Sequence, residues 1–492
     1  MEAFYFLYIP LITVNDTQTE VQRHGIMYLI SSAGITLIGF LATMFYAHWV
    51  GAEVLGVYFL FLSYFAILGL FSDLGIGYAA TQRICSGVDQ NEYFTVNLTL
   101  RLFFYAIVCS VMIVFREYFA DLNNSGLLFI LLAIVGISTF SSSISVAIGA
   151  SNRLGLAASV SLLNNITRII VQVIAVFLGF RVYGLIGGLV VGLLSELVIE
   201  LKFIDYHLKK FNWSHVKSLL SFSSWAVLIS AGTILFDNIS LIFIAYFISV
   251  SDVGIFGVCW TFSFFALFIS TALVNTLYVK VSRWNAQKDI SAIAISLSRA
   301  TTYSLIFALP ILTGGILLGH NLLYYLYGAS FATGATALII IIAMRVIQSI
   351  LNLYTNFLMA TDHAKQAVIG ILTGVSANIV LCIMLIPYMG IAGAAIGAFV
   401  NVIISIFIAR TYLARIIPIT LEKTSIKHIF LATIVMTISL LALGMLPLNQ
   451  SSLQTIVMVL IGSAIYFAVL LKLNHQIRDD AFRTFKITWV PK

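Results

Sequence analysis

The stretch Tyr183-Gly-Leu-Ile-Gly-Gly-Leu-Val-Val-Gly192 reads much like Met389-Gly-Ile-Ala-Gly-Ala-Ala-Ile-Gly-Ala398. Both set small residues on an apolar ground. Gly184 falls over Gly390 and Gly187 over Gly393, 206 residues apart. Such a duplication in a chain that is nearly all apolar is the pattern of transporters, in which similar halves rock around a site between them. Composition supports the membrane setting. The chain of 492 residues is 61% hydrophobic and 9% charged, with a mean hydropathy of +1.05. Soluble domains carry roughly 25% charged residues, so this chain has too few to coat a surface in water.

Apolar runs near the ~20-residue length of a bilayer crossing predict about fourteen helices. They fall at 25–48, 55–82, 95–115, 127–150, 155–179, 183–204, 219–248, 254–279, 293–318, 333–360, 365–387, 390–413, 427–446 and 454–473. The run at 4–14 is too short to cross and is broken by Pro10; it lacks a basic leader and a small-residue cleavage site, and reads as interfacial. Alternate loops hold nearly all the basic residues. One set, with the C-terminal tail and adjoining helix ends, carries 22 of the 26 Lys and Arg; the other holds only Arg116 and Arg181. That bias places both termini in the cytoplasm and explains the net charge of +7 without nucleic acid.

Two further matches support a six-plus-six duplication. Glu53-Val-Leu-Gly-Val-Tyr58 resembles Ser251-Asp-Val-Gly-Ile-Phe256, and Ala150-Ser-Asn-Arg153 resembles Ala360-Thr-Asp-His363. The expected fold is an all-α polytopic membrane protein with two parallel six-helix repeats and two C-terminal helices. Its parts are an N-terminal segment 1–24, a first lobe 25–207, a cytoplasmic loop 208–218, a second lobe 219–413, the helices of 427–473 and a tail 474–492. Small residues at helix starts also serve close packing, so each match alone is weak; their order and spacing carry the argument.

Charges within spans are the functional candidates, because a charge at the bilayer centre costs roughly 2.5–3.5 kcal/mol on insertion scales. Arg168 and Arg345 lie mid-span, one in each half. A guanidinium fork suits phosphate, so together they predict a binding site for an anionic head group. The competing reading is an ion pair of either arginine with Asp237. Asp237-Asn238 also suits coupling to protons or sodium, and Asp73 either coupling or pairing with a basic neighbour. Glu196 and Glu200 share one helical face near a span end, within reach of water or Lys202.

Enzymatic chemistry has little to stand on. The chain contains no phosphate-binding Gly-x-x-x-x-Gly-Lys-Ser/Thr loop and no His-Glu-x-x-His spacing. The four cysteines read as small apolar residues and the eight histidines fall near span ends. No loop is long enough for a catalytic domain, so no cofactor or metal is expected.

Taken in order, Gly51-Ala-Glu-Val-Leu-Gly-Val-Tyr58, Leu68-Gly-Leu-Phe-Ser-Asp-Leu-Gly-Ile-Gly77 with Arg83, Leu326-Tyr-Gly328 and Gly390-Ile-Ala-Gly-Ala-Ala395 resemble one family. It is the polysaccharide-exporter branch of the multidrug/oligosaccharidyl-lipid/polysaccharide superfamily, the O-antigen and lipid-linked oligosaccharide flippases. The resemblance implies a translocase without enzymatic chemistry in the cell membrane. Its substrate would be a polyprenyl-(pyro)phosphate-linked glycan, moved from the cytoplasmic leaflet by alternating access through a cavity lined by helices one, two, seven and eight. The implied partners are that lipid-linked glycan, membrane lipids and glycan polymerase or glycosyltransferase machinery. Arg168 and Arg345 match no family motif and rest on burial alone. A cation-coupled multidrug antiporter typically has twelve spans, and a lipid-II-type flippase would carry arginines in its first spans, where this chain has no deep one. A scaffold role would leave the duplication and the buried charges unexplained.

Overall fold

The computed structural model describes residues 17–119, 126–150, 154–444 and 452–479. The run 4–14, the matched residues 151–153 and the tail from 480 lie outside the described residues. All the regular structure among the described residues is helical, as a lipid environment demands of a backbone that must satisfy its own polar groups. The first part of the chain forms α1 (Thr17–Asp73), α2 (Ile76–Cys85), α3 (Gln90–Val114), α4 (Leu127–Ala150), α5 (Leu154–Phe177) and α6 (Arg181–Phe203). The second forms α7 (Trp213–Phe247), α8 (Val250–Ser263), α9 (Phe268–Ala286), α10 (Ile290–Tyr327), α11 (Ala335–Ala360), α12 (Ala364–Met389) and α13 (Ile391–Leu413). Two more, α14 (Lys423–Gly444) and α15 (Ser452–Leu473), close the described fold. Hydroxyls along the spans bond back to the carbonyl one turn earlier, as Ser63 does to Phe59 (2.9 Å) and Ser72 to Leu68 (2.9 Å). Such side chains enter the bilayer without unmet donors.

Among the described residues thirteen helical stretches are long and apolar enough to cross a membrane, against fourteen runs in the sequence. The difference lies in α1, which holds the expected spans 25–48 and 55–82 up to Asp73. A non-helical residue, Gly51 (φ 77°, ψ 178°), divides it into two arms. The arms fold alongside one another, because residues 39–46 and 55–62 line one cavity. A straight helix would set residues 39 and 62 about 34 Å apart at ~1.5 Å per residue. The second arm ends at Leu74 and Gly75, both left-handed (φ 43° and 70°), where glycine removes the Cβ clash. Asp73 covers the break by accepting the Gly75 and Gly77 N–H groups at 3.2 and 3.1 Å. The expected span 254–279 is likewise divided, by a 3-10 turn at Phe264–Leu267 between α8 and α9.

Glycines set the closest approaches. A Cβ on Gly56 of α1 would lie 1.8 Å from the Val250 carbonyl oxygen, and one on Gly254 of α8 would lie 2.0 Å from that of Ala52. The contact is reciprocal: Ala52 and Val250 are 198 residues apart, as are Gly56 and Gly254. Each half of it repeats the other with partners exchanged, as in a two-fold interface. The glycine-rich stretches that begin α6 and α13 pack each helix on its predecessor. Gly188 and Gly192 sit against Gln172, Arg168 and Asn164 of α5, and Gly393 and Gly397 against Leu385 and Asn378 of α12. At the other end of the sequence, α14 and α15 pack on each other and on α10. The Tyr466 hydroxyl donates to the Ile306 carbonyl (2.8 Å) to tie α15 to α10.

Candidate functional site: a cavity between α1, α5 and the α8–α9 break

A cavity of about 470 Å³ opens between both arms of α1, the middle of α5, and the chain around the Phe264–Leu267 turn. Its walls are largely aromatic and apolar: Phe40, Tyr46, Leu55, Tyr58, Phe59, Phe264 and Phe268. Arg168, Gln172, Thr43, Thr261 and Thr271 supply the polar groups. An apolar enclosure with a few convergent polar groups is the usual form of a small-molecule site, and this volume suits a head group of drug-like size.

Arg168 is half-buried on this wall. Its Nη2 donates to Asn165 Oδ1 (2.9 Å), while its Nε is buried without a partner. The arginine is held there by the close approach of α6, since a Cβ on Gly192 would lie 3.0 Å from the Arg168 Cβ. One turn on, Gln172 crosses the cavity edge. Its Oε1 accepts from the Tyr46 hydroxyl (3.0 Å), and its Nε2 donates to the Tyr58 hydroxyl (2.9 Å) and the Leu185 carbonyl (2.6 Å). One amide therefore ties both arms of α1 to α5 beside the arginine. Gln172 carries no charge, so a search for charged residues passes over it; its polarity at mid-span, four residues from Arg168, is the signal that marks it.

Arg345 is placed differently. It sits on α11, 0% exposed, and is not on the cavity wall. Its Nε donates to Ser263 Oγ (3.0 Å) and its Nη1 to Gln348 Oε1 (2.6 Å), while Nη2 is buried without a partner. The guanidinium is stacked between two rings, 4.2 Å from the Trp260 centroid and 4.3 Å from that of Phe264. Phe264 also lines the cavity, so that ring touches the guanidinium and the cavity alike. Neither Trp260 nor Phe264 stands out in the sequence, where aromatic residues within a span are ordinary.

Asp237 on α7 is close enough for its charge and that of Arg345 to act on each other, but no ion pair joins them among the described residues. Asp73 forms an ion pair with Arg101 of α3 at 3.0 Å; Arg101 also donates to Ser143 (3.3 Å) and Ser142 (2.8 Å) of α4. Arg83, the nearest basic residue in sequence, instead lies over the Phe222 ring of α7 at 5.7 Å. Glu200 is 2% exposed and accepts from Ser141 Oγ (2.7 Å), and Glu196 accepts from Asn164. The expected reach of Glu200 to water thus gives way to a contact between α6 and α4. Of the four candidate residues, the structure brings only Arg168 to the cavity surface. No three His, Cys, Asp or Glu side chains gather as a metal site would need among the described residues.

Comparisons with known proteins agree with this architecture. Residues 47–336 match the family described as polysaccharide biosynthesis protein. Among curated proteins, a probable low-salt glycan biosynthesis flippase, Agl15, of Haloferax volcanii is 24% identical over 94% of this chain and 98% of its own. A probable flippase of the same organism, AglR, is 24% identical over 67% of this chain and 69% of its own. Among solved structures, the lipid II flippase MurJ in an inward closed conformation superposes with a TM-score of 0.72 at 15% identity, covering 90% of this chain and 98% of that one. An inward-facing multidrug resistance transporter of the MATE family gives 0.63 at 14% identity, covering 79% and 98%. These two structural likenesses concern the fold. The family match spans more than half of the sequence, and the chain, a multi-pass membrane protein, belongs to the polysaccharide biosynthesis protein family.

Proposed function

We propose that the protein is a flippase for a polyprenyl-(pyro)phosphate-linked oligosaccharide. It takes the sugar-phosphate head from the cytoplasmic leaflet into the cavity and releases it on the other side, while the lipid tail stays in the bilayer. The observation that carries this reading is Arg168, a guanidinium with a buried and unpartnered Nε on the wall of an aromatic cavity between the halves. A half-buried cation with free donor capacity attracts an anion, and arginine's fork suits phosphate oxygens. Aromatic faces such as Phe40 and Tyr58 suit the apolar faces of sugar rings. The names of the Haloferax relatives support flipping, and that of Agl15 a role in glycan biosynthesis.

In this reading the moving bodies are the lobes 25–207 and 219–413, and the reciprocal Gly56–Gly254 contact closes the outer end of the cavity. The Lys and Arg asymmetry supports cytoplasmic termini in this reading, with the protein in the cell membrane. Arg345 is a second cationic group for the head, and Asp237 and Asp73 are candidates for ion coupling. The test is complementation of cells that lack this protein. Arg168→Ala is expected to abolish surface glycan with the protein still in the membrane, and Arg168→Lys to restore part of it. Full surface glycan with Arg168→Ala would remove the anionic-head reading.

A further inference from the structure

The two rings around Arg345 are held unequally. Trp260 is 6% exposed and fixed by Phe236 and Phe256, whose ring centroids lie 5.5 and 5.8 Å away. Phe264 is 39% exposed, faces the cavity and begins the short 3-10 turn that interrupts α8 and α9. Such turns within a helical run often mark hinges. The guanidinium between them keeps a buried Nη2 with no acceptor, although the residue is 0% exposed. An arginine buried that deeply with one donor unmet keeps the capacity to bind a further acceptor.

We propose that Phe264 is a shutter over Arg345. When its ring swings away from the guanidinium, an anion already held by Arg168 gains Arg345 as a second donor, with Trp260 remaining as the plate behind it. Two guanidinium groups, one on the cavity wall and one uncovered by Phe264, suit an anion with two charged centres, which is a diphosphate; a single phosphate engages Arg168 alone. Phe264 thereby couples closure on the head to the number of its phosphates. The inference rests on the reading of Arg168 as an anion ligand.

The test uses the purified full chain in detergent and the emission of Trp260, isolated by difference from Trp260→Phe. The titrants are inorganic phosphate, inorganic pyrophosphate and farnesyl diphosphate. Both diphosphates are expected to change Trp260 emission, and phosphate to bind in an Arg168-dependent manner without changing it. Phe264→Ala should lower the diphosphate midpoint about tenfold, because apparent affinity scales with the fraction of protein already open, and leave the phosphate midpoint in place. Arg345→Gln should abolish the emission change, and Phe264→Ala keeps the test decisive if that variant fails to fold. A lower midpoint for farnesyl diphosphate than for pyrophosphate supports a lipid-borne ligand, and equal midpoints a free one; the shutter holds in both. Diphosphate binding that depends on Arg168 while Trp260 emission stays flat, with Phe264→Ala at the wild-type midpoint, overturns the shutter alone. Binding indifferent to Arg168 overturns the anion site with it.

Discussion

Arg168 and Gln172 lie one turn apart on α5, and their different legibility reflects their chemistry. A permanent charge within a span is costly enough to be noticed in a bare sequence; a neutral amide is not, and its importance shows only once Tyr46 and Tyr58 are seen to meet on it. Gln172→Leu removes that tie and leaves two buried hydroxyls to find new partners. It is expected to cost about 1–3 kcal/mol of stability and to slow transport, both measurable on the purified variant by thermal unfolding and in vesicles. Arg345 was legible as a buried charge, but the aromatic stack that holds it away from the cavity was not, because Trp260 and Phe264 are distant from it in sequence. For Asp73 the nearest basic residue in sequence misleads: helix geometry brings Arg101 to it and sends Arg83 to Phe222. Arg101→Gln leaves the Asp73 carboxylate, 29% exposed, without its cation. The expected cost is about 1–3 kcal/mol, less than the roughly 3–5 of a fully buried pair. Thermal unfolding of Arg101→Gln, Asp73→Asn and the double variant checks it; the double is expected to cost less than the sum of the singles.

Helix breaks are where sequence and structure part most. Runs of apolar residues locate helices well, because in lipid a long apolar segment has few alternatives. They do not say whether a glycine between two runs ends a helix or bends it. Gly51 separates the first two runs, whereas Leu74–Gly75 and the Phe264–Leu267 turn divide runs that read as single spans. The glycine matches fare differently. Gly56 and Gly254 were legible as a matched pair, and the structure presses them against each other's helices. Gly56→Ala puts a methyl carbon where the Val250 carbonyl oxygen lies, so α1 and α8 must separate, at about 1–3 kcal/mol for such overpacking. If this contact closes the outer end, a cysteine replacing Thr271 on the cavity wall, in a chain without its native cysteines, should react with a membrane-impermeant maleimide from outside in Gly56→Ala and be protected otherwise. Equal protection in both would remove Gly56 from the gate.

Across the whole molecule, the cavity lies where the early helices α1 and α5 face the α8–α9 break, so changes in the relation of the two halves alter it first. The tight glycine contact between α1 and α8 lies one residue from Leu55 on the cavity wall. Inside the cavity, the unpartnered Nε of Arg168 gives the proposed alternating-access route a preference for anions. The proposed function requires Arg168 to serve the head group during flipping. The direct measurement reconstitutes the protein in vesicles with a fluorescent polyprenyl-diphosphate-linked sugar and follows quenching of the outer leaflet by an impermeant reductant. Wild-type protein is predicted to make the inner-leaflet pool accessible, Arg168→Ala to leave it near the protein-free rate and Arg168→Lys to fall between. Flipping by Arg168→Ala at the wild-type rate would contradict the account.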